Sequence, residues 1–591
     1  MNLDKIFIVD LYKKIKINLP DYVLSSAFRL LPLNFISSVF EIFGLVVLFP
    51  IIKVIIEPSY ISDNKYLHFL FTALNFKDNT SFVLFLFSSV TVIFILKNLI
   101  IFFISKQQST VAYNLASRIS LEKYYTYLNK PYHFHAENNT AVLLRNFTQI
   151  PYDIISFVFL PFIAIVSETF ILTLIILMLT IYDPMLFWSL IMFSLPFILI
   201  YNKVYKKRLK KISDRRNVET ALMYKLGLQS MEAYREITVF NKTNFFKPMF
   251  KKNIDSYSKS MAEVYSINLF SPKIVETVAI LGIFSIFMFG YLLNKELTTL
   301  AQFLILFAIA AYRVIPSINK IVLCTTNIKA TYYIFDVFDK PEIDLTNSKK
   351  SDPVTPVQPL EFKDKLDISN LSFSFSGKKE QKVLKNITIS IPKGQTIGII
   401  GSSGAGKTTL LNIFLRLYEE TEGAIYLDGI KIDRSNIEAW YNIVSYVPQN
   451  ITLLDGTLLD NIAFGTNPEQ INHELLKKVI EQAQLENFIK ELPEGVNSQI
   501  GEKGIKISGG QRQRIGIARA LYHGGKILLF DEATSALDNE TEKMLTDAIH
   551  HISNKELTII IVAHRLQTLK HCDRIYKLDS GVLNETFDIQ F

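Results

Sequence analysis

A chain of 591 residues with 49% hydrophobic and only 20% charged side chains is too apolar for an ordinary soluble protein. Its mean hydropathy of +0.24 says the same. The formal charge of +8 could suit nucleic acid, but Lys and Arg gather in loops that flank apolar runs, as the positive-inside rule expects of a membrane protein. The two cysteines, Cys324 and Cys572, stand far apart in different contexts and read as reduced thiols.

In chain order, the segment from Met1 to Pro20 interleaves Lys13, Lys14 and Lys16 with Ile6, Phe7, Ile8, Leu11 and Ile15. It lacks a signal-peptide cleavage pattern and predicts an amphipathic helix lying on the cytoplasmic membrane face. Six apolar stretches long enough to cross a bilayer follow: Tyr22–Ile56, Phe82–Ser105, Tyr152–Tyr182, Met185–Tyr205, Leu269–Leu293 and Leu300–Leu323. The third and fourth are separated only by Asp183-Pro184, a tight hairpin. The connections Lys106–Pro151 and Lys206–Asn268 are long, polar and rich in helix formers, and the second opens with KKRLKKISDRR. They predict two helical hairpins projecting into the cytoplasm, with both termini on that side. Their tips fall near Pro131–Asn146 and Glu219–Glu236. Asn64–Phe76 (NKYLHFLFTALNF) reads as a short external helix, either at the lipid surface or packed as a loop helix. Residues 1–339 thus form a transmembrane domain. The polar, proline-containing stretch Lys340–Leu360 is a linker, and 361–591 alternates strands and helices as an α/β domain.

In that second domain the strand-like run Thr396–Ile400 leads into Gly401, Ser402, Ser403, Gly404, Ala405, Gly406, Lys407, Thr408 and Thr409. This fits a phosphate-binding loop, whose glycines let backbone N–H groups wrap phosphate oxygens beside a helix N-terminus. Lys407 would reach the outer phosphates and Thr408 would bind Mg²⁺. Further on, the apolar run Ile527–Phe530 ends in Asp531 and Glu532. Asp531 suits a Mg²⁺ role, and Glu532 is placed to orient or deprotonate an attacking water. Without the upstream loop these two acids would read as a solvated turn.

The set resembles the ATP-binding-cassette (ABC) family. Ile507-Ser508-Gly509-Gly510-Gln511 followed by RQRIGIARA resembles its signature, and Gln449 in VPQN its Mg²⁺-sensing loop glutamine. Ser535-Ala536-Leu537-Asp538 resembles its dimer-contact loop and His564 its switch histidine. Phe375 falls where the family stacks an aromatic on adenine. Gly501-Glu502-Lys503-Gly504 is similar to the exporter-type segment before the signature. Ile507 replaces the usual Leu, Phe375 the commoner Tyr, and Lys503 the usual Arg. The resemblance implies ATP and Mg²⁺ as cofactors, with Glu532, His564 and Lys407 catalytic. It also implies an α-helical transmembrane domain of six helices with long cytoplasmic extensions, fused to an α/β P-loop ATPase. In the family each signature helix faces ATP held by the partner subunit. One cassette per chain therefore implies a dimer, and the intact phosphate loop and Glu532 favour two identical copies. No nucleic-acid partner is expected.

The spans also carry charge. Lys97 lies in the second, Lys273 near the start of the fifth, and Arg313 and Lys320 in the sixth, seven residues apart on one face with Pro316 between them. Glu41, Glu168 and Glu276 are the intramembrane acids. Charged side chains in spans mark cavities and pathways, or pair with one another, as the spacing of Lys273 and Glu276 allows. Bases facing a shared cavity would suit an anionic cargo such as a phosphate-bearing lipid. FILKNL, SPKIVE and AAYRVIPSINKIV resemble the lipid-linked oligosaccharide flippases of bacterial N-glycosylation. That resemblance implies a polyprenyl-pyrophosphate-linked oligosaccharide, flipped to the outer leaflet of the bacterial inner membrane among membrane lipids. The alternatives are export of lipid A or phospholipid, of a peptide, or of a drug.

Overall fold

The first helix, α1 (Phe7–Asn18), is amphipathic, and protein covers part of its apolar stripe. Leu11 and Ile15, four residues apart and so on one face, are 0% and 1% exposed. With Leu19 they join one core with Val23, Ala27 and Leu30 of α2 (Asp21–Ile56) and with Ile119 and Ile328. Lys14 Nζ sits 4.2 Å from the Tyr332 ring centroid. Protein thus covers Leu11 and Ile15, worth about 1.5–3 kcal/mol for each large side chain buried, while Ile17 stays exposed.

The computed structural model describes residues 7–56, 60–182, 184–292, 297–338, 360–375, 382–500, 507–532, 556–563 and 565–586. The chain divides into two compact units, Met1–Lys130 with Phe134–Lys349 and Lys350–Phe591 with Pro131–His133. In the first unit, Asn64 caps α3 (Lys65–Ala73), its side chain accepting from the N–H of Tyr66 and Leu67. Leu67 packs with Val54, Ile61 and Phe82, while Tyr66 and Phe69 are exposed. Asp78 then caps α4 (Asn79–Leu128) through the N–H of Ser81 at 3.0 Å.

Helix α4 has 50 residues and, at 1.5 Å per residue, spans roughly 75 Å. A hydrocarbon core is about 30 Å thick, so such a helix reaches far beyond a membrane. The same holds for α6 (Pro184–Glu232) and α7 (Thr243–Leu292), which give the long extensions expected from the polar connections. Between α4 and α6 in the order of the chain, Ile150–Ile154, a π-helical turn Ile155–Phe159 and α5 (Leu160–Tyr182) run on as one element. Helix α8 (Leu297–Ala330) completes the set. Among the described residues, the helical segments Asp21–Gly44, Asn79–Leu128, Ile150–Leu177 and Thr243–Leu292 are long and apolar enough to cross a membrane. The expected spans Met185–Tyr205 and Leu300–Leu323 lie on α6 and α8, and the side-chain surroundings of nearly all of the first and of the N-terminal part of the second fall outside the described residues.

In the second unit two sheets form. Among the described residues, β1 (Lys365–Phe373), β2 (Leu384–Pro392), β4 (Glu422–Leu427) and β5 (Ile430–Lys431) make an antiparallel sheet in the order β2-β1-β4-β5. The other sheet runs β10-β9-β3-β8-β7-β6, where β3 is Thr396–Gly401, β6 Val444–Val447, β7 Ile527–Asp531, β8 Thr558–Val562, β9 Arg574–Asp579 and β10 Val582–Glu585. Pairings among β9, β3, β8, β7 and β6 are parallel. The sequences ILLFD and TIIIV are buried at every position, the pattern of interior parallel strands covered on both faces. Parallel strands end together, so the loop after β3 and the acids closing β7 share one edge of the sheet, with β8 between.

Candidate nucleotide site and intramembrane charge cluster

After β3 the chain turns tightly into helix α9 (Lys407–Phe414), whose N-cap is Gly406 at φ +105°. A Cβ on Gly401 would lie 2.4 Å from the Leu578 carbonyl oxygen of β9, so only glycine fits the end of β3. Lys407 folds back over the loop, its Nζ donating to the carbonyls of Gly401 at 2.8 Å and Ser402 at 3.0 Å. Burial pushes its pKa down, and the nearby carboxylates of Glu532 and Asp531 oppose that shift. Thr408 is exposed beside it. A glycine-rich turn entering a helix N-terminus beside one cation is the arrangement that suits phosphate oxygens.

Asp531 ends β7 and is buried. Burial, then the charge of Glu532, raises its pKa above the usual carboxylate range, and Tyr446 Oη at 3.3 Å donates to it. Glu532 takes left-handed backbone, φ +46°, and its N–H donates to Val562 O at 2.9 Å. A non-glycine residue there costs roughly 1–3 kcal/mol and persists where surroundings over-determine it, commonly at working sites. Gln449 Nε2 donates to Glu532 Oε2 at 2.9 Å. The signature serine, Ser508, is the N-cap of α10 (Gly509–Tyr522) and forms a capping box with Gln511. From that helix Gln513 Nε2 donates to the backbone carbonyl of Gln449 at 3.0 Å.

Lys407, Gln449, Asp531 and Glu532 are thus brought to one edge of the sheet. Phe375 is 42% exposed and belongs to a ring cluster with Phe373 at 5.1 Å and Tyr418 at 5.8 Å, both edge-on. That leaves a face for a planar base. His564, Gly501–Gly504 and Ser535–Asp538 lie outside the described residues. The glycine-lined loop, the Lys407 ammonium and the hard oxygen donors of Thr408, Gln449 and Asp531 fit a nucleoside triphosphate with Mg²⁺. The reading from sequence missed Tyr446 and Gln513. Tyr446 sits three residues before Gln449 and Gln513 inside RQRIGIARA, but nothing in spacing alone marks either side chain.

In the first unit, Arg313, Ser317 and Lys320 converge on one carboxylate. Arg313 Nη2 donates to Glu168 Oε2 at 3.0 Å, Ser317 Oγ to the same oxygen at 2.8 Å, and Lys320 Nζ to Oε1 at 2.8 Å. Arg313 also pairs with Glu41 of α2. Lys273 is paired with Glu276 at 3.1 Å on the outside of α7. Lys97 lies over the Phe94 ring at 4.5 Å, with its Nζ 3.3 Å from where a Cβ on Gly44 would stand. Of the four candidate bases, the structure brings Arg313 and Lys320 to a common carboxylate, places Lys97 near Gly44, one turn from Glu41, and leaves Lys273 with its own helical neighbour.

A helical membrane unit and a cassette-type nucleotide fold on one chain define an ABC exporter half. Comparison with known proteins agrees: residues 30–314 match the ABC transporter transmembrane region and residues 384–535 the ABC transporter family. The chain belongs to the ABC transporter family. Among curated relatives, the ATP-dependent lipid A-core flippase of Francisella tularensis subsp. holarctica (strain OSU18) is 34% identical over 68% of this chain and 65% of its own length. The chain therefore spans just under two thirds of that relative. The protein of the same description from Francisella novicida is 33% identical over 68% of this chain and 67% of its own length. That from Vibrio cholerae serotype O1 is 27% identical over 81% of each. A solved bacterial Atm1-family ABC exporter with ATP bound superposes with a TM-score of 0.73 at 18% identity, covering 95% of this chain and 94% of that one. This likeness speaks to fold.

Proposed function

We propose that this chain pairs with a second copy of itself and uses Mg²⁺-dependent ATP hydrolysis to move an anionic, sugar-bearing lipid from the inner to the outer leaflet of a bacterial inner membrane. Residues 1–339 would form the membrane domain, 340–360 the linker and 361–591 the cassette, with both termini cytoplasmic. Lys407 and the loop amides would hold the phosphates, Thr408, Gln449 and Asp531 the metal. Glu532 would orient or deprotonate the attacking water, His564 would touch the terminal phosphate, and Phe375 would stack on the base. Closure and parting of the cassettes would drive the membrane helices as rigid bodies.

The observation that carries the cargo class is the basic stripe Arg313–Lys320 inside a membrane helix. Intramembrane bases are costly and are kept for charge recognition. Lys97 and Lys273 would add to it along the path of the head group. Relatives described as lipid A-core flippases favour a lipid A-type cargo. The likeness of AAYRVIPSINKIV, FILKNL and SPKIVE to oligosaccharide flippases supports a polyprenyl-pyrophosphate-linked oligosaccharide as the second reading. Both are phosphorylated glycolipids. Reconstituted vesicles offered each lipid in turn, with Glu532→Gln as the control, test the proposal. ATP-dependent translocation of either lipid by the wild type alone is the expected result. Vigorous ATP turnover with neither lipid moved would overturn the cargo class.

A further inference from the structure

The geometry points to Glu168 as an internal stand-in for the cargo's phosphate: it occupies the anion cradle of α8 and is displaced when a head group enters. This rests on the anionic-lipid reading above and deepens it.

Arg313, Ser317 and Lys320 fall at positions i, i+4 and i+7 of one helix and so form one stripe. All three donate to the carboxylate of Glu168, which uses both oxygens and whose side chain is 3% exposed. Three donors on one helix meeting one anion is a recognition geometry, not a chance surface pair. Two further facts separate it from a plain structural salt bridge. Arg313 Nε is buried with no hydrogen-bond partner, so the cradle offers a donor that a two-oxygen carboxylate leaves unused. The Lys320 side chain is 56% exposed, so the cradle has an open edge through which a ligand can arrive.

The charge balance explains why a carboxylate sits there. In the absence of cargo, Glu168 and Glu41 offset Arg313 and Lys320, sparing two bases the large cost of being unpaired among membrane helices. A phosphate or pyrophosphate brings more negative charge and more oxygens than Glu168 and can occupy the spare Arg313 donor as well. A neutral or zwitterionic head group cannot match the carboxylate it must evict. Glu168 is therefore a specificity residue: it sets a threshold of charge that a lipid must exceed. After release of the cargo, the same carboxylate returns to the cradle.

The test measures binding of lipid A and of undecaprenyl pyrophosphate to the full-length, nucleotide-free protein in nanodiscs. Glu168→Gln, which removes the competing charge, should bind whichever lipid the wild type binds about tenfold more tightly, the worth of one charge-assisted contact. Its release, followed by exchange against unlabelled lipid, should slow. Glu168→Asp keeps the charge but shortens its reach, and should tighten binding by a smaller factor. It serves as the measurement if the Gln variant does not fold. Binding by Glu168→Gln or Glu168→Asp that is equal to or weaker than wild type, while Arg313→Gln/Lys320→Gln loses the lipid, overturns displacement and leaves the anionic-lipid reading standing. Undiminished binding by the double base variant, or no binding of either lipid by the wild type, overturns that reading itself.

Discussion

Gln449 Nε2 donates to Glu532 Oε2 at 2.9 Å. The amide fixes the carboxylate that closes β7, and the left-handed backbone of Glu532 is tied to Val562 on the neighbouring strand. Both ends of the residue are thus held, which suits the proposed role of meeting a water in one orientation.

Replacing Glu532 by Gln is expected to lower steady ATP turnover about 10²–10⁴-fold, the usual worth of a positioned acid–base group. Nucleotide binding should survive. Gln449→Ala removes one hold on the carboxylate and should cost less, about tenfold. Turnover assays alongside equilibrium binding of ATP decide this; unchanged turnover in Glu532→Gln would remove its assignment.

Asp531 carries a raised pKa because burial and Glu532 disfavour its charge. The folded protein thus holds that proton more tightly than the unfolded chain. Ionising Asp531 costs stability as pH rises past the unfolded value, and the cost is complete above the folded one. At neutral pH and without Mg²⁺, Asp531→Asn should raise the Tm by about 2–4 °C, with the gain vanishing in acid. The same substitution should weaken Mg²⁺-dependent nucleotide binding. Thermal melts across pH without nucleotide test the first half.

Gly401→Ala places a Cβ 2.4 Å from the Leu578 carbonyl oxygen and should cost about 1–3 kcal/mol of overpacking strain. Gly404 has φ +80° but no heavy atom within 4 Å of a Cβ, so Gly404→Ala carries only backbone strain, about 1–2 kcal/mol. Melting curves should rank Gly401→Ala below Gly404→Ala. The reverse order would contradict the crowding at the end of β3.

Truncating α1 discriminates its two possible settings. Leu11 and Ile15 are buried against protein, whereas Ile17 is 71% exposed. Leu11→Ala or Ile15→Ala should each destabilise by about 2–5 kcal/mol, while Ile17→Ala should leave the melting temperature in detergent within about a degree. Equal, small effects at all three would favour a helix lying on lipid.

Much of this molecule is legible from sequence because its signals are local. A phosphate loop needs Gly401, Gly404 and Gly406 at fixed offsets, and a fully buried parallel strand needs a run such as ILLFD. What sequence could not give was the identity of partners far apart in the chain. The apolar stripe of α1 announces a buried face but not what buries it. Arg313 and Lys320 announce one face of a helix, yet nothing in their spacing names Glu168, 145 and 152 residues away. Lys273 and Glu276, three apart, could be paired at sight because the helix itself brings them together. Tyr446 and Gln513 escaped for the first reason: their contacts to Asp531 and to the carbonyl of Gln449 are made by the sheet edge, not by the chain.

The bond from Gln513 to the backbone of Gln449 has a consequence for how a pair of such chains would keep time. Gln513 rides on the helix headed by Ser508. If, in the proposed pair, Ser508 meets the nucleotide of the opposite subunit and Gln449 that of its own, one amide would join the two readers, and occupancy at either seat would be felt at both. A dimer wired in this way would hydrolyse with positive cooperativity in ATP rather than as two independent engines.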